Sequence, residues 1–261
     1  MAWASNGSVA ACLRKQGKRH SSPEIEPGAC TGREHADISQ PAAGSFGGQG
    51  PPGELLGSHG FRRFRLHHEE RSGSTPGPPV TEATLTLWKG RLPDLLLALW
   101  QRDGLARYHD DRLTMVDPAQ YDAVLDAFLE GSPLRGKDDF HVYAISPFGQ
   151  MLICGERTGV ELTLEPHEGH QCAPAAATLP TSSIDRNRRL HDFLLTLDDP
   201  ELDVLTEDEE PMFWRVREML GPLGDGEIYT STESVSEHGW RLGTLVKRKA
   251  LDVLGELAQR R

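Results

Sequence analysis

Three residues whose side chains commonly bind zinc lie within six positions of one another, at His167, His170 and Cys172. Imidazole and thiolate groups are the usual ligands of zinc sites in proteins. The spacing is not the His-Glu-x-x-His pattern of metallopeptidases, and a fourth ligand would have to come from a distant part of the chain. We therefore expect an exposed polar loop without a metal. A metal-dependent enzyme built on these three residues is the alternative.

Other catalytic patterns are missing from the sequence. It contains no phosphate-binding Walker loop and no Gly-x-Ser-x-Gly nucleophile elbow. Carboxylates are adjacent at Asp110-Asp111, Asp138-Asp139 and Asp198-Asp199, but adjacency alone does not provide the special environment that general acid–base catalysis requires. Cys154 lies in an apolar run, which predicts a buried, inert thiol. We expect no enzyme, no catalytic residue and no cofactor, with a small-ligand or regulatory binding domain as a further alternative.

The most unusual feature is a run from Asp192 to Glu210 that contains nine acidic residues and no Lys or Arg. Such runs usually form a solvated face, and the last carboxylates also favour the N-terminal end of a following helix. A patch of this kind also fits the basic, nucleic-acid-binding channel of a nuclease. The candidate partner-binding residues are the six carboxylates Asp198, Asp199, Glu201, Asp203, Glu207 and Asp208.

Charge and composition divide the 261-residue chain, whose net charge is −11, into two parts. The first 80 residues hold nine basic and seven acidic residues, and 21 of them are Gly or Pro. The remainder holds 19 basic and 32 acidic residues, a net charge of −13. This acidity argues against a general nucleic-acid binder, and no apolar run is long enough to span a membrane. Four cysteines in a chain of this length do not form a disulfide scaffold.

The same division predicts the domain organisation. Residues 1–60 form a disordered, Gly/Pro-rich leader with little to bury and without the order of basic and apolar segments that a secretory signal shows. Residues 61–261 form a single domain with its core at 81–258.

Within that domain, helix and strand signals alternate without a repeat. Pro93 begins a helix that Gly104 ends, and Asp117-Pro118 caps a second helix that Gly131 ends. Apolar runs at 140–145 and 151–154 flank a turn at Ser146 to Gly149, with a third strand at 159–164. We expect an α+β fold, an antiparallel sheet with several helices packed on one side or at the ends.

The C-terminal half has weaker signals. A loop at 165–180 precedes a helix at 189–197. The spacing of Thr206 and Glu209 is that of a capping box for a helix at 212–220. Residues 227–229 and 240–242 are extended candidates, and the apolar residues of 244–258 predict a final helix.

The order of these turn, cap and core residues resembles the GAD-like domain family. It is similar to the immunity proteins that bacteria pair with type VI-secreted DNase toxins, and the first helix also resembles another superfamily of bacterial immunity proteins. The residues that carry the resemblance are Leu92, Pro93, Trp100, Gly104, Asp117, Pro118, Phe148, Gly149, Gly221, Leu223, Glu227, Tyr229 and Gly243.

The resemblance implies a mainly structural role for these residues. It implies a non-catalytic, cytoplasmic immunity protein that binds a basic cognate toxin, such as a nuclease, and covers its active site. Such a protein would contact neither nucleic acid nor a membrane directly, and it would be a monomer or a weak homodimer.

Overall fold

The computed structural model describes residues 73–167, 170–172, 183–197, 202–206 and 208–260, together with Arg62. The predicted leader, residues 1–60, lies outside the described residues. So do four of the six candidate carboxylates, Asp198, Asp199, Glu201 and Glu207.

Seven strands in the described residues form one antiparallel sheet, and each strand pairs with its neighbours along the chain. Strands β4 and β5 are the longest pair in it and form the predicted hairpin. The strands are β1 (Ser74–Thr75), β2 (Arg107–Tyr108), β3 (Leu113–Met115), β4 (Phe140–Ile145), β5 (Met151–Gly155), β6 (Glu161–Glu165) and β7 (His170–Cys172). The α+β fold class predicted from the sequence is confirmed, and β7 lies in the segment predicted as a loop.

Helices cover both faces of this sheet, so the expectation of helices on one side or at the ends is wrong. On one face, Leu152 and Cys154 of β5 pack in a cluster with helices α1 (Glu82–Trp88), α2 (Asp94–Asp103) and α4 (Ser183–Thr196). On the other face, Met151 and Ile153 pack with α3 (Asp122–Leu129) and α7 (Ala250–Gln259). The continuous apolar sequence of β5 is the signal for burial on both faces.

The predicted helix after Pro93 is confirmed as α2. Leu96 and Trp100 are buried in its inner face. Gly104 ends the helix with a φ of 69°, and a Cβ there would collide with the carbonyl oxygen of Pro78. The Asn187 side chain accepts a hydrogen bond from the Leu95 N–H at 2.9 Å, which joins α2 to α4.

The predicted helix start at Asp117 is confirmed with a modification. Asp117 accepts a hydrogen bond from the Ala119 N–H at 3.1 Å, but Pro118–Gln120 is a short 3₁₀ helix that precedes α3. The same carboxylate accepts from the Trp88 indole N–H at 3.1 Å. The cap therefore also fixes α1 against the sheet.

The C-terminal part contains a separate two-stranded antiparallel sheet of β8 (Glu227–Ser231) and β9 (Leu245–Lys249). The prediction of one helix over 244–258 is wrong in its first half, because Leu245–Lys249 pairs with β8 and α7 begins only at Ala250. Two further helices, α5 (Phe213–Leu220) and α6 (Val235–His238), pack beside this sheet. Of the helices in the described ranges, none has both the length and the apolar character that a membrane span requires.

Candidate interaction site

A third apolar cluster joins the β4–β5 turn to the C-terminal elements. We call it the C-terminal cluster. Its buried members come from the turn, from α5 and the residue before it, from β8, α6 and β9, and from the segment between α6 and β9. They are Phe148, Met212, Phe213, Val216, Tyr229, Val235, Trp240 and Leu245.

The turn between β4 and β5 has the structure that the sequence predicts. Phe148 is 1% exposed, and its ring centroid lies 5.9 Å from that of Tyr229 and 5.4 Å from that of Trp240. Gly149 has a φ of 83°, a conformation that favours glycine. The Tyr229 N–H donates to the Pro147 carbonyl at 2.8 Å, and the turn is thereby hydrogen-bonded to β8. The turn predicted at Ser146 to Gly149 is confirmed.

Other residues of the resemblance also serve the fold at this cluster. Gly221 ends α5 with a φ of 78°, and its carbonyl accepts a hydrogen bond from the Tyr229 hydroxyl at 2.7 Å. The Glu227 carboxylate accepts from the Gly224 N–H at 2.7 Å, which closes the turn before β8. Leu223 packs against the cluster, whereas Gly243 lies in a short 3₁₀ helix with nothing near its Cβ position.

A small pocket opens beside the C-terminal cluster. It holds about 250 Å³ of empty space, part of it open to solvent. The His167 ring contacts Trp240 edge-on with centroids 4.8 Å apart. The Gln150 side chain donates to the Glu165 carboxylate at 3.2 Å. The lining residues are Phe148, Gln150, Glu165, Pro166, His167, Val204 and Trp240.

His167 is the member of the predicted zinc-ligand group whose side chain is described. Burial, assisted by the positive charge of Arg260, lowers the pKa of His167 to about 4. Its Nε2 atom is buried and has no hydrogen-bond partner among the described residues. The prediction of an exposed polar loop is therefore wrong at this position, because the imidazole packs on Trp240. No local pattern of residues indicates this long-range contact.

The other two residues of that group lie on β7. His170 pairs with Glu165 and Cys172 pairs with Thr163 in the backbone register of β6 and β7. In the part of the chain that the structure describes, no group of three or more His, Cys, Asp or Glu residues is arranged to hold a metal ion.

Asp203 does not present its carboxylate to a partner. It is 7% exposed, and it accepts hydrogen bonds from the N–H groups of Val204 at 2.7 Å, Phe213 at 2.9 Å and Met212 at 3.2 Å. Burial raises the pKa of this carboxyl, and the backbone donors oppose that rise. Its place in the candidate partner-binding set is therefore a misreading, because its oxygens are occupied inside the protein.

The predicted capping box at Thr206 and Glu209 is wrong, because a different residue caps α5. Asp203 supplies the acceptor for the first N–H groups of α5 from the far side of a loop. Thr206 instead closes that loop, since its N–H donates to the Glu210 carbonyl at 3.0 Å and its Oγ1 accepts from the Glu210 N–H at 3.2 Å.

We call the described residues 205–206 and 208–211 the acidic loop. Its ends meet in a β-bridge between Leu205 and Pro211, and Thr206 forms a second bridge to Trp240. Asp208, Glu209 and Glu210 are exposed on it, and Glu209 has a φ of 60°. This part of the acidic run is thus a closed, hydrogen-bonded loop and not a helix face. Asp208 is exposed, and its partner-binding role stays a prediction.

A strained turn lies on another side of the cluster, between β2 and β3. His109, Asp110 and Asp111 have φ values of 57°, 54° and 73°. Arg217 of α5 donates to the Asp110 carbonyl at 2.7 Å and lies 3.1 Å from the Asp111 carboxylate. Non-glycine residues in this conformation store strain, which is common at binding surfaces. The one signal in the sequence was the residue type, because Asp and His tolerate the left-handed region better than most.

The neighbouring Trp214 of α5 is 51% exposed. The guanidinium groups of Arg112 and Arg217 lie 5.7 and 5.6 Å from its ring centroid. Trp and Arg are enriched among the residues that dominate protein interfaces. Trp214 could not be singled out from the sequence, because neither helical periodicity nor charge distinguishes an exposed tryptophan from a buried one.

The large sheet also contains a buried carboxyl and a buried thiol, and both have raised pKa values. Burial raises the pKa of the Glu161 carboxyl well above its usual range, although Tyr143 and Arg189 oppose the rise. Burial, together with Glu161, also raises the pKa of the Cys154 thiol well above its usual range. The prediction of a buried Cys154 is confirmed, and its thiol stays protonated.

Comparisons with known proteins agree with this architecture. The crystal structure of Atu4351 from Agrobacterium tumefaciens is similar, with a TM-score of 0.62 and 19% sequence identity over 72% of this chain and 85% of that chain. At this identity the likeness shows the fold alone. No curated protein matches the chain significantly. Residues 65–168, which include α2 and the β4–β5 hairpin, match the model of the GAD-like domain family, and this match supports the resemblance to that family.

Proposed function

We propose that this protein is a non-catalytic immunity protein that binds a basic cognate toxin, such as a nuclease, in the cytoplasm and neutralises it. The match of residues 65–168 to the GAD-like domain family supports the class of protein. The observation that carries the proposal is the acidic loop, which holds exposed carboxylates in a closed conformation beside the C-terminal cluster.

The carboxylates of this loop are available for a partner. Asp203 caps α5, so the exposed carboxylates of Asp208 and Glu210 are not needed for that purpose. Hydrogen bonds from Thr206 hold the loop backbone closed, and this reduces the conformational entropy that is lost on binding. Residues 81–261 carry a net charge of −13, which would attract a nuclease surface that binds phosphates with Lys and Arg.

Charges at the rim of an interface act mainly on the association rate. We therefore expect the acidic loop to speed the encounter with the toxin, while buried contacts decide how long the complex lasts. An exposed tryptophan such as Trp214 is the kind of residue that supplies such contacts.

The test begins with a search for a toxin among the products of the genes next to that of this protein. The full chain is co-expressed with that toxin, cell growth is followed, and the association rate of the purified proteins is measured against salt concentration. The variant Asp208→Lys/Glu210→Lys is compared with the control Asp126→Lys/Glu130→Lys. The control makes the same charge change at an exposed position of α3 and at the exposed residue that follows this helix.

We expect the unaltered chain to protect the cells. The loop variant should associate roughly tenfold or more slowly at low salt and with a weaker salt dependence, whereas the control should keep most of the rate. Failure of the unaltered chain to bind the toxin and protect the cells would contradict the proposed function. Equal rates for the loop variant and the control would show that the acidic loop does not steer the partner.

A further inference from the structure

We infer that Trp214 is the apolar anchor by which this protein holds its toxin, and that its indole enters an apolar recess of the toxin whose rim carries Lys and Arg side chains. This inference rests on the proposed function and names the residue that decides how long the complex lasts. It depends on the exposure of Trp214, on the contacts that fix its ring, and on the charges of the acidic loop that precedes α5.

The exposure of Trp214 is unusual for its position. It lies on the first turn of α5 and is 51% exposed, whereas the other three tryptophans of the described residues are at most 8% exposed. Trp214 belongs to none of the three apolar clusters in these residues. The indole is therefore not needed to fill the core. It leaves a large apolar area in contact with water, and a partner that covers this area gains the free energy of burying it.

More exposed apolar surface lies in the segment that leads into α5. Leu205 is 46% exposed, and a β-bridge places it beside Pro211, which is exposed as well. The helix begins two residues after Pro211. Exposed apolar side chains that occur together are characteristic of interaction sites. The acidic loop thus brings apolar and acidic side chains to the start of α5.

The Trp214 ring is held in place before a partner arrives. Phe213 contacts it edge-on with ring centroids 5.1 Å apart, and the guanidinium groups of Arg112 and Arg217 lie 5.7 and 5.6 Å from its centroid. Arg217 is itself fixed by two groups of the strained turn between β2 and β3, a backbone carbonyl at 2.7 Å and a carboxylate at 3.1 Å. A side chain that is already ordered loses less conformational entropy on binding. The strained turn therefore contributes to the anchor through Arg217.

Charge decides which kind of surface fits this face. The carboxylates of Asp208, Glu209 and Glu210 are exposed and form no ion pair with another described residue. Residues 208–220 contain four acidic and two basic residues, a net charge of 2 − 4 = −2, and one of the two basic residues, Arg217, is paired with a carboxylate. A surface that carries Lys and Arg is attracted to this face. A second copy of this chain brings the same negative charge, which disfavours self-association through it.

The anchor and the acidic loop have different kinetic roles. Tryptophan side chains that dominate an interface fill pockets near its centre, where water is excluded. Charged residues at the rim act mainly on the association rate. We therefore assign the dissociation rate to Trp214 and the association rate to the carboxylates of the acidic loop.

The first experiment needs no toxin. The full chain is oxidised with hydroxyl radicals, and the modified tryptophans are identified by mass spectrometry. Its molecular mass in solution is measured by sedimentation, with and without Trp214→Ala. We expect Trp214 to react faster than Trp88, Trp100 and Trp240, and the mass to be the same for both chains. Protection of Trp214 in the free monomer, or a dimer that Trp214→Ala dissociates, would overturn the inference, since the face would already be covered.

The second experiment measures the association and dissociation rates of the toxin found next to the gene of this protein. The test variant is Trp214→Ala. The matched control is Met219→Ala, because Met219 is 47% exposed on the same helix. It lies five residues further along, which places it about 140° around the helix axis from Trp214.

We expect Trp214→Ala to dissociate about 30-fold or more faster, the effect of removing a dominant interface residue. Its association rate should stay within about threefold, because interface substitutions act mainly on dissociation. Met219→Ala should change neither rate. Oxidation of the unaltered chain in the complex gives a second readout that does not depend on the stability of a variant, and Trp214 should be protected there.

The outcomes separate this inference from the proposed function. Equal dissociation rates for Trp214→Ala and Met219→Ala, or an unprotected Trp214 in a complex that forms, overturn the inference while the proposed function stands. If the unaltered chain neither binds the toxin nor protects the cells, the proposed function fails, and the inference fails with it.

Discussion

The carboxylate of Asp203 accepts a hydrogen bond at 2.9 Å from the backbone N–H of Phe213, ten residues further along the chain. This contact caps α5 from across the acidic loop. It fixes the position of Phe213 in the C-terminal cluster and leaves the exposed carboxylates of the loop free of a capping role. The acidic run thus contains a buried carboxylate with a structural role, Asp203, and exposed carboxylates that a partner can contact.

Replacing Asp203 with Ala should destabilise the protein by about 1–3 kcal/mol, because the cap is lost and buried N–H groups are left without an acceptor. Asp203→Asn should restore much of the loss, since an amide oxygen can accept the same hydrogen bonds. Urea unfolding measures both. Asp208→Ala, at an exposed position of the loop, is the control and should change the stability little. A stable Asp203→Ala variant would contradict the capping role.

Replacing Phe148 with Ala should destabilise the protein by about 3–5 kcal/mol, the usual cost of removing a buried phenyl ring. The ring contacts both Tyr229 and Trp240, so the C-terminal cluster would lose part of its packing. Denaturant unfolding gives the free energy, and Leu87→Ala at an exposed position serves as the control. If Phe148→Ala folded with normal stability and lost only partner binding, the side chain would be an interface residue in solution.

Replacing Glu161 with Gln should increase the stability at neutral pH. Burial raises the folded-state pKa of Glu161, so the folded protein holds a proton that the unfolded chain releases. This contribution is fully present below the ordinary carboxyl pKa of about 4.3 and is lost as the pH rises through the folded-state pKa. Each unit of pKa difference corresponds to about 1.4 kcal/mol. Melting temperatures across this range should therefore diverge between Glu161→Gln and the unaltered chain as the pH rises.

Glu156→Gln is the opposite-sign control for that experiment. Burial raises the pKa of Glu156, but hydrogen bonds from His141 and Arg91 outweigh it and lower the pKa. The contribution of Glu156 is present above the ordinary carboxyl pKa and is lost on acidification. Glu156→Gln should therefore lose stability at neutral pH. A parallel response of the two variants would contradict the assignment of Glu161 as a protonated acid.

Purified protein should contain less than one zinc ion per chain, and a chelator should leave its melting temperature unchanged. The reason is that His167 packs against Trp240 and that no group of three or more His, Cys, Asp or Glu among the described residues is arranged to hold a metal ion. Elemental analysis and thermal unfolding with and without chelator measure this. One tightly bound zinc per chain, with loss of structure on its removal, would support the metal-dependent enzyme instead.

Elements with local signals could be predicted from the amino-acid sequence. Pro93 immediately precedes α2 and Gly104 immediately follows it, because proline suits the start of a helix and glycine suits its left-handed end. The apolar runs around Gly149 determined the β4–β5 hairpin for the same kind of reason, since the turn residue and its flanking strands are adjacent in the chain. These local signals also carried the resemblance to the GAD-like domain family.

Features that depend on residues far apart in the chain could not be predicted from the sequence. Leu245–Lys249 has helix-compatible residues, yet it is a strand because β8 offers a pairing edge. Asp203 and Glu210 are both acidic residues of one run, but α5 buries the first as its cap while the second stays exposed. Burial and hydrogen bonding between residues far apart in the chain set these roles, and neither residue type nor spacing encodes them locally.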